Sequence, residues 1–254
     1  MLMRFSVAVL ALLVLYLASM SPAQAGVLLL APLLPHAGAR PLNDPAANRS
    51  AVLFAGQSSD RIFTDCALAA TGAAVAADDT GIYKTIAQPN NHTLVSRVSE
   101  QVTKAGDLEY VGPVLGLVYL SGGARNHDLA WKASIAVIKA GVVADVVKVM
   151  VGRSRPDGPS GGGNADKFSP LSFKDDDNSF PSGHATVAFA VASVWAVEKP
   201  REAVPAYALA SLVGLSRIEL GRHWPSDVFW GAVLGITQGR QATSGNTRLL
   251  NISF

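Results

Sequence analysis

From about residue 61 to residue 240 the apolar residues of this chain come in long blocks, separated by polar, glycine or proline breaks. The blocks run roughly Thr64–Ala77, Leu94–Thr103, Leu108–Ser121, Leu129–Gly152, His184–Val197, Val204–Ser216 and Ser226–Gly239. Most are longer than a strand, they are rich in Ala, Leu and Val, and none alternates cleanly between apolar and polar. The pattern predicts an all-α fold, a helical bundle of about six or seven helices. A strand competes with a helix only over Ile135 to Val151, where β-branched residues are dense.

Hydrophobic residues make up 49% of the 254 and charged residues 16%, so a large core can form. The formal net charge of +2 gives no reason to expect nucleic acid or a broad anionic surface as a partner. Any anion affinity must arise from local clustering.

The N-terminus reads as a signal peptide over residues 1–25. Met1 to Arg4 form a basic start and Phe5 to Ala18 an apolar run too short for a comfortable membrane span. Ala23-Gln24-Ala25 then places cleavage before Gly26, so the chain is expected to be exported. An uncleaved membrane anchor is the alternative, because Val27 to Leu34 continues the apolar character. Residues 26–60, broken by Pro32, Pro35, Pro41 and Pro45, read as an extended lead-in, and 241–254 as a tail. The single cysteine, Cys66, cannot form an internal disulfide and reads as a small buried hydrophobe.

The blocks His184–Val197 and Val204–Leu215 hold about a dozen apolar positions each, against roughly 20 needed to cross a bilayer. Lys139 and Asp145 would be costly against lipid. These features predict a soluble or peripherally attached exported protein, with membrane association compatible but not required.

Three short stretches carry the chemistry. Lys148 and Arg155 are seven residues apart, so both can face one side if the helix reaches that far, and Pro156 sets Arg155 at its end. Arg153, between them but off that face, is expected to be a surface charge. Pro181-Ser182-Gly183-His184 precedes a helical run, with Ser182 as N-cap and Gly183 allowing close backbone approach. Free N–H groups at such a helix start form a cradle for phosphate. Ser216-Arg217 closes another block, and Arg217 would be a third oxyanion clamp. Asp227 follows His223 by four residues, within reach of the imidazole, and such a pair fixes a nucleophilic histidine's tautomer. Pro225 is expected to open the last helix. The 157–179 stretch, with Gly161-Gly162-Gly163 and Asp175-Asp176-Asp177, reads as either a lid or a solvated connector, its aspartates as exposed. His36, His92 and His127 read as surface residues, and no zinc-type spacing or Walker loop occurs.

The order Lys, six residues, Arg-Pro; Pro-Ser-Gly-His; and Ser-Arg, five residues, His, three residues, Asp resembles the type 2 phosphatidic acid phosphatase family. That family includes the bacterial class A acid phosphatases and shares its site with vanadium-dependent haloperoxidases. The resemblance implies a helical catalytic phosphatase domain over residues 61–240, acting without metal or other cofactor on a phosphorylated small molecule or lipid, phosphatidate and polyprenyl pyrophosphate among them. It implies His223 as the residue transiently phosphorylated, supported by Asp227, and His184 as general acid and then base. Lys148, Arg155, Ser182, Gly183 and Arg217 would bind the phosphate. Two other readings use the same residues: a vanadium-dependent haloperoxidase with His223 as vanadate ligand, and a non-catalytic anion- or lipid-binding protein.

Overall fold

The computed structural model describes residues 59–87, 94–157 and 164–244. Among these are eight α-helices and no strand: α1 Ser59–Ala77, α2 Asp79–Ile86, α3 Leu94–Val102, α4 Leu108–Leu120, α5 Ala124–Val151, α6 Gly183–Glu198, α7 Ala203–Glu219 and α8 Pro225–Thr243. The all-α expectation holds. The chain forms two compact units divided between Val75 and Ala76; the site lies in the larger unit, and α1 falls almost wholly in the smaller one. The expected signal peptide and most of the lead-in lie outside the described residues, as do His36, His92 and the Cys66 side chain. The last helix runs to Thr243, a few residues into the expected tail.

The β-branched stretch of α5 is helical, and its burial pattern shows why. Ala133, Ala136, Val137, Ala140, Ala144, Val147 and Val151 recur at three- and four-residue steps and are all buried. A full burial such as that of Val147 contributes about 1.5–3 kcal/mol, enough to override a weak local preference for strand. Gly152 then stops the helix in the left-handed conformation at φ 58°.

Helix α6 is the central element, packed against α5, α7 and α8. Its contact with α8 is close because Gly231, Gly235 and Gly239 recur every four residues along α8. A Cβ at Gly231 would stand 2.6 Å from the Ser182 carbonyl oxygen. The start of α8 is thereby pressed against the start of α6, which brings the second and third motifs together.

The outer faces are apolar as well. Leu117 and Leu120 on α4, Trp131, Val142 and Val146 on α5, and Val204, Leu209 and Leu212 on α7 are all exposed. No described helix is long and apolar enough to cross a membrane.

Candidate active site

The helix carrying Lys148 ends at Val151, so the two-turn spacing to Arg155 is not what aligns the pair. A loop places Arg155 instead. Its backbone N–H donates to the Asp176 carbonyl at 2.9 Å, and the Ser179 N–H donates to the Arg153 carbonyl at 2.9 Å. The 164–179 segment therefore packs along the first motif rather than standing clear of it. Asp177 departs from the expected exposure: it is buried and accepts from the hydroxyls of Ser172 at 2.8 Å and Ser154 at 3.3 Å. Asp175 is the exposed member and meets Arg155 at 3.2 Å.

Ser182 caps α6 as expected, its hydroxyl accepting from the Ala185 N–H at 3.4 Å. The missing side chain of Gly183 leaves room for Lys148, since a Cβ there would lie 3.2 Å from Nζ. Lys148 thus reaches the start of α6. Arg217 comes from the last turn of α7 and donates to the Thr103 hydroxyl at 2.9 Å. Pro225 opens α8 as expected, and Asp227 occupies its third position. Ser216 binds its own helix through the Val213 carbonyl, consistent with a structural role. His127 is exposed and stacks on Tyr119.

These groups sense one another. Burial lowers Lys148 from its ordinary value, and the charges of Arg155 and Arg217 lower it further. Burial, then Arg155 and Arg222, bring Arg217 down to about 10. Burial lowers His184 to about 3, helped by Arg217, His223 and Lys148. The Nε atoms of Arg155 and Arg217 are buried with no hydrogen-bond partner. Buried guanidinium nitrogens left unpaired are costly, and an oxyanion between them would remove that cost.

His223 is 2% exposed, and its tautomer is fixed by an unexpected partner. Its Nδ1 lies 2.7 Å from the Ser179 carbonyl oxygen, which can only accept, so Nδ1 carries the proton and Nε2 the lone pair. Asp227 was expected to play this part, but its nearest oxygen is 3.9 Å from Nδ1, too far for a hydrogen bond. Burial lowers His223 to about 4, partly offset by the Asp227 charge, so the ring is neutral near pH 7.

Asp227 is instead bound by Arg153 at 2.6 Å, the Ser179 hydroxyl at 2.5 Å and the Trp224 N–H at 2.8 Å. Burial alone would raise its carboxyl, but Arg153 foremost, with His223 and Ser179, holds it below the usual range. Arg153 is therefore not a surface charge. It is 5% exposed and also binds Asp79 at 2.7 Å, the Ser226 hydroxyl at 2.8 Å and the Ala165 carbonyl at 3.0 Å. Asp79 in turn accepts from the Ser226 N–H at 2.8 Å. The expectation failed because it placed Arg153 on a helix wheel beyond the helix end; Gly152 was the signal of that end.

Among the described residues no group of three or more His, Cys, Asp or Glu side chains is arranged to hold a metal ion.

Three clustered cations, the buried imidazole of His223 and the half-buried one of His184 at a helix start make a candidate oxyanion site in a helical bundle. The chain belongs to the PAP2 superfamily, whose profile matches residues 129–244. Over 156 residues it is 37% identical to a lipid A 1-phosphatase of Rhizobium etli, covering 56% of this chain and 67% of that relative. It is 31% identical over 147 residues to a lipid A 1-phosphatase of Porphyromonas gingivalis, covering 54% of this chain but only 29% of that longer relative. The fold is similar to that of Aquifex aeolicus LpxE, with a TM-score of 0.52 at 24% identity over 65% of this chain and 93% of that one.

Proposed function

We propose that this chain hydrolyses phosphate esters of lipids through a phosphohistidine on His223. The observation that carries the reading is the pair of buried, unpartnered guanidinium nitrogens, on Arg155 and Arg217, beside neutral imidazoles. Similarity to lipid A 1-phosphatases supports a lipid as the leaving group, and so do the exposed apolar faces of α4, α5 and α7.

In the first step the His223 Nε2 lone pair attacks phosphorus while the bond to the leaving oxygen breaks. His184 gives its proton to that oxygen. In the second, neutral His184 takes a proton from water, the hydroxide attacks phosphorus, and the N–P bond breaks to release phosphate. Lys148, Arg155, Arg217 and the N–H groups at the start of α6 hold the equatorial oxygens, where charge collects during transfer.

Acid catalysis by His184 requires it to be protonated, yet in the empty site it sits at about 3. Part of that lowering comes from Arg217, His223 and Lys148. A phosphate dianion offsets those charges and raises the His184 value, so substrate binding itself equips the acid.

The test is phosphate release from p-nitrophenyl phosphate and from phosphatidate. The wild type should turn over both, and His223→Ala should lose turnover by on the order of 10⁴-fold or more. Equal activity in the two proteins would contradict the assignment.

A further inference from the structure

The guanidinium of Arg217 is buried, and its hydrogen-bond partner lies outside the three motifs. Its Nη1 donates to the Thr103 hydroxyl at 2.9 Å, across 114 positions of sequence. Its Nε is buried without a partner. Among the described residues no carboxylate forms an ion pair with it; Asp157 and Asp107 reach it only through their charge. Burial, then Arg155 and Arg222, lower Arg217 to about 10. Burial would lower Arg153 as well, but Asp227 and Asp79 raise it above the ordinary value. A hydroxyl can orient a guanidinium by accepting from it, yet it cancels none of the charge.

Thr103 opens the 3₁₀ turn Thr103–Gly106, which follows α3 and lies ahead of residues 129–244 that the family profile matches. The turn is wedged between the helices that carry His184 and Arg217. Gly106 is buried, and a Cβ there would stand 2.6 Å from a Val213 methyl on α7 and 2.7 Å from the His184 carbonyl oxygen on α6. Val102 and Ala105 pack against Ala188, Ala192, Ala210 and Val213 of the same two helices. Earlier in α3, the Ser96 hydroxyl donates to Glu219 at the end of α7 at 2.7 Å. The turn therefore has a fixed seat, and it presents Thr103 to Arg217 at a set distance.

We propose that Thr103 is the positioning residue of the Arg217 clamp, aiming the guanidinium at the bound phosphate while leaving its charge uncompensated. The assignment rests on the phosphatase reading above. With Nη1 on Thr103 the side chain is held at its tip, and the unpartnered Nε remains for a phosphate oxygen. A carboxylate in place of the hydroxyl would orient Arg217 equally well but neutralise it, as Asp79 and Asp227 do for Arg153. Without any acceptor the long side chain would be free to leave its rotamer, and phosphate binding would have to order it afresh.

The experiment uses the full chain, p-nitrophenyl phosphate as substrate, and inorganic phosphate as a ligand followed by calorimetry, which reads binding without turnover. Thr103→Val removes the acceptor at nearly constant volume, and Thr103→Ala is the second truncation should valine disturb the turn. Either should lower kcat/KM about tenfold, mostly in kcat, because the clamp tightens as charge collects in the transition state. Phosphate affinity should fall about threefold. Thr103→Ser keeps the hydroxyl and should hold both values within about twofold of wild type. In an Arg217→Met background Thr103→Val should change neither by more than about twofold, since nothing is left to position. A merely structural threonine would show the same loss in both backgrounds, with Tm falling alongside. That result, or a Thr103→Val protein with wild-type kcat/KM and phosphate affinity, would overturn the assignment and leave the phosphatase reading intact. A wild type that binds phosphate without hydrolysing ester, and binds it more weakly in Thr103→Val, would keep Thr103 in its role and remove the phosphatase reading. A wild type that neither hydrolyses nor binds would remove both.

Discussion

Arg153 and Arg155 are two residues apart and chemically identical, yet they occupy opposite electrostatic environments. Arg153 is buried between two carboxylates, Asp79 and Asp227, with its remaining donors on Ser226 and the Ala165 carbonyl. Arg155 has only the exposed Asp175 as a charge partner and keeps a buried Nε unpaired. The first arrangement is complete without a ligand; the second is not. An exposed pair such as Arg155–Asp175 contributes little, about 0–1 kcal/mol, so Arg155 remains available to an anion. Compensation, rather than burial alone, separates the cation that holds the fold from the cation left open to an anion.

Breaking the compensated side should cost stability. Arg153→Met leaves two buried carboxylates without a counter-charge and should destabilise the protein by about 3–5 kcal/mol. Calorimetry would register this as a fall in Tm on the order of 10 °C. Breaking the uncompensated side should cost rate instead. Arg155→Gln or Arg217→Gln should lower kcat about 10²–10³-fold with Tm unchanged or raised, because a repelling charge has gone. If both substitutions lost stability alike, the distinction between the two arginines would collapse. Asp79→Asn is a milder version of the first break. It leaves Arg153 paired with Asp227 and should cost about 1–3 kcal/mol in denaturant unfolding.

The smallest effect is a shift in pH dependence. His223 must be neutral and His184 protonated in the first step, so kcat/KM should rise on the acid side as His223 loses its proton and fall again at higher pH as His184 loses its own. Arg217 is among the charges that lower this imidazole. In Arg217→Gln the acid limb should therefore move to higher pH, and a limb that stayed in place would show the two groups do not interact.

The sequence carried the helices well but not the network around the candidate site. Long apolar blocks and the Ser182 cap are local signals, and the helices they predicted are present. Helix α2 was missed because its eight residues, Asp79–Ile86, offer no apolar block. That short helix brings Asp79 to Arg153, a pairing across 74 positions that no spacing rule encodes. Likewise, the Asp227 offset of four residues from His223 suggested a direct pair. The hydrogen bond that fixes the ring comes from a backbone carbonyl at Ser179, and backbone acceptors leave no trace in residue identity. The apolar outer faces were also not anticipated, since helices apolar on several sides give a weak periodic signal.

The central claim is that a phosphoryl group rests on His223 among Lys148, Arg155 and Arg217 during turnover. It is tested most directly by quenching the enzyme rapidly with a substrate carrying radiolabelled phosphate and mapping the label. The expected result is an acid-labile, base-stable phosphoenzyme on His223 that is absent from His223→Ala. Turnover with the label on another residue, or with no labelled protein under single-turnover conditions, would contradict the account.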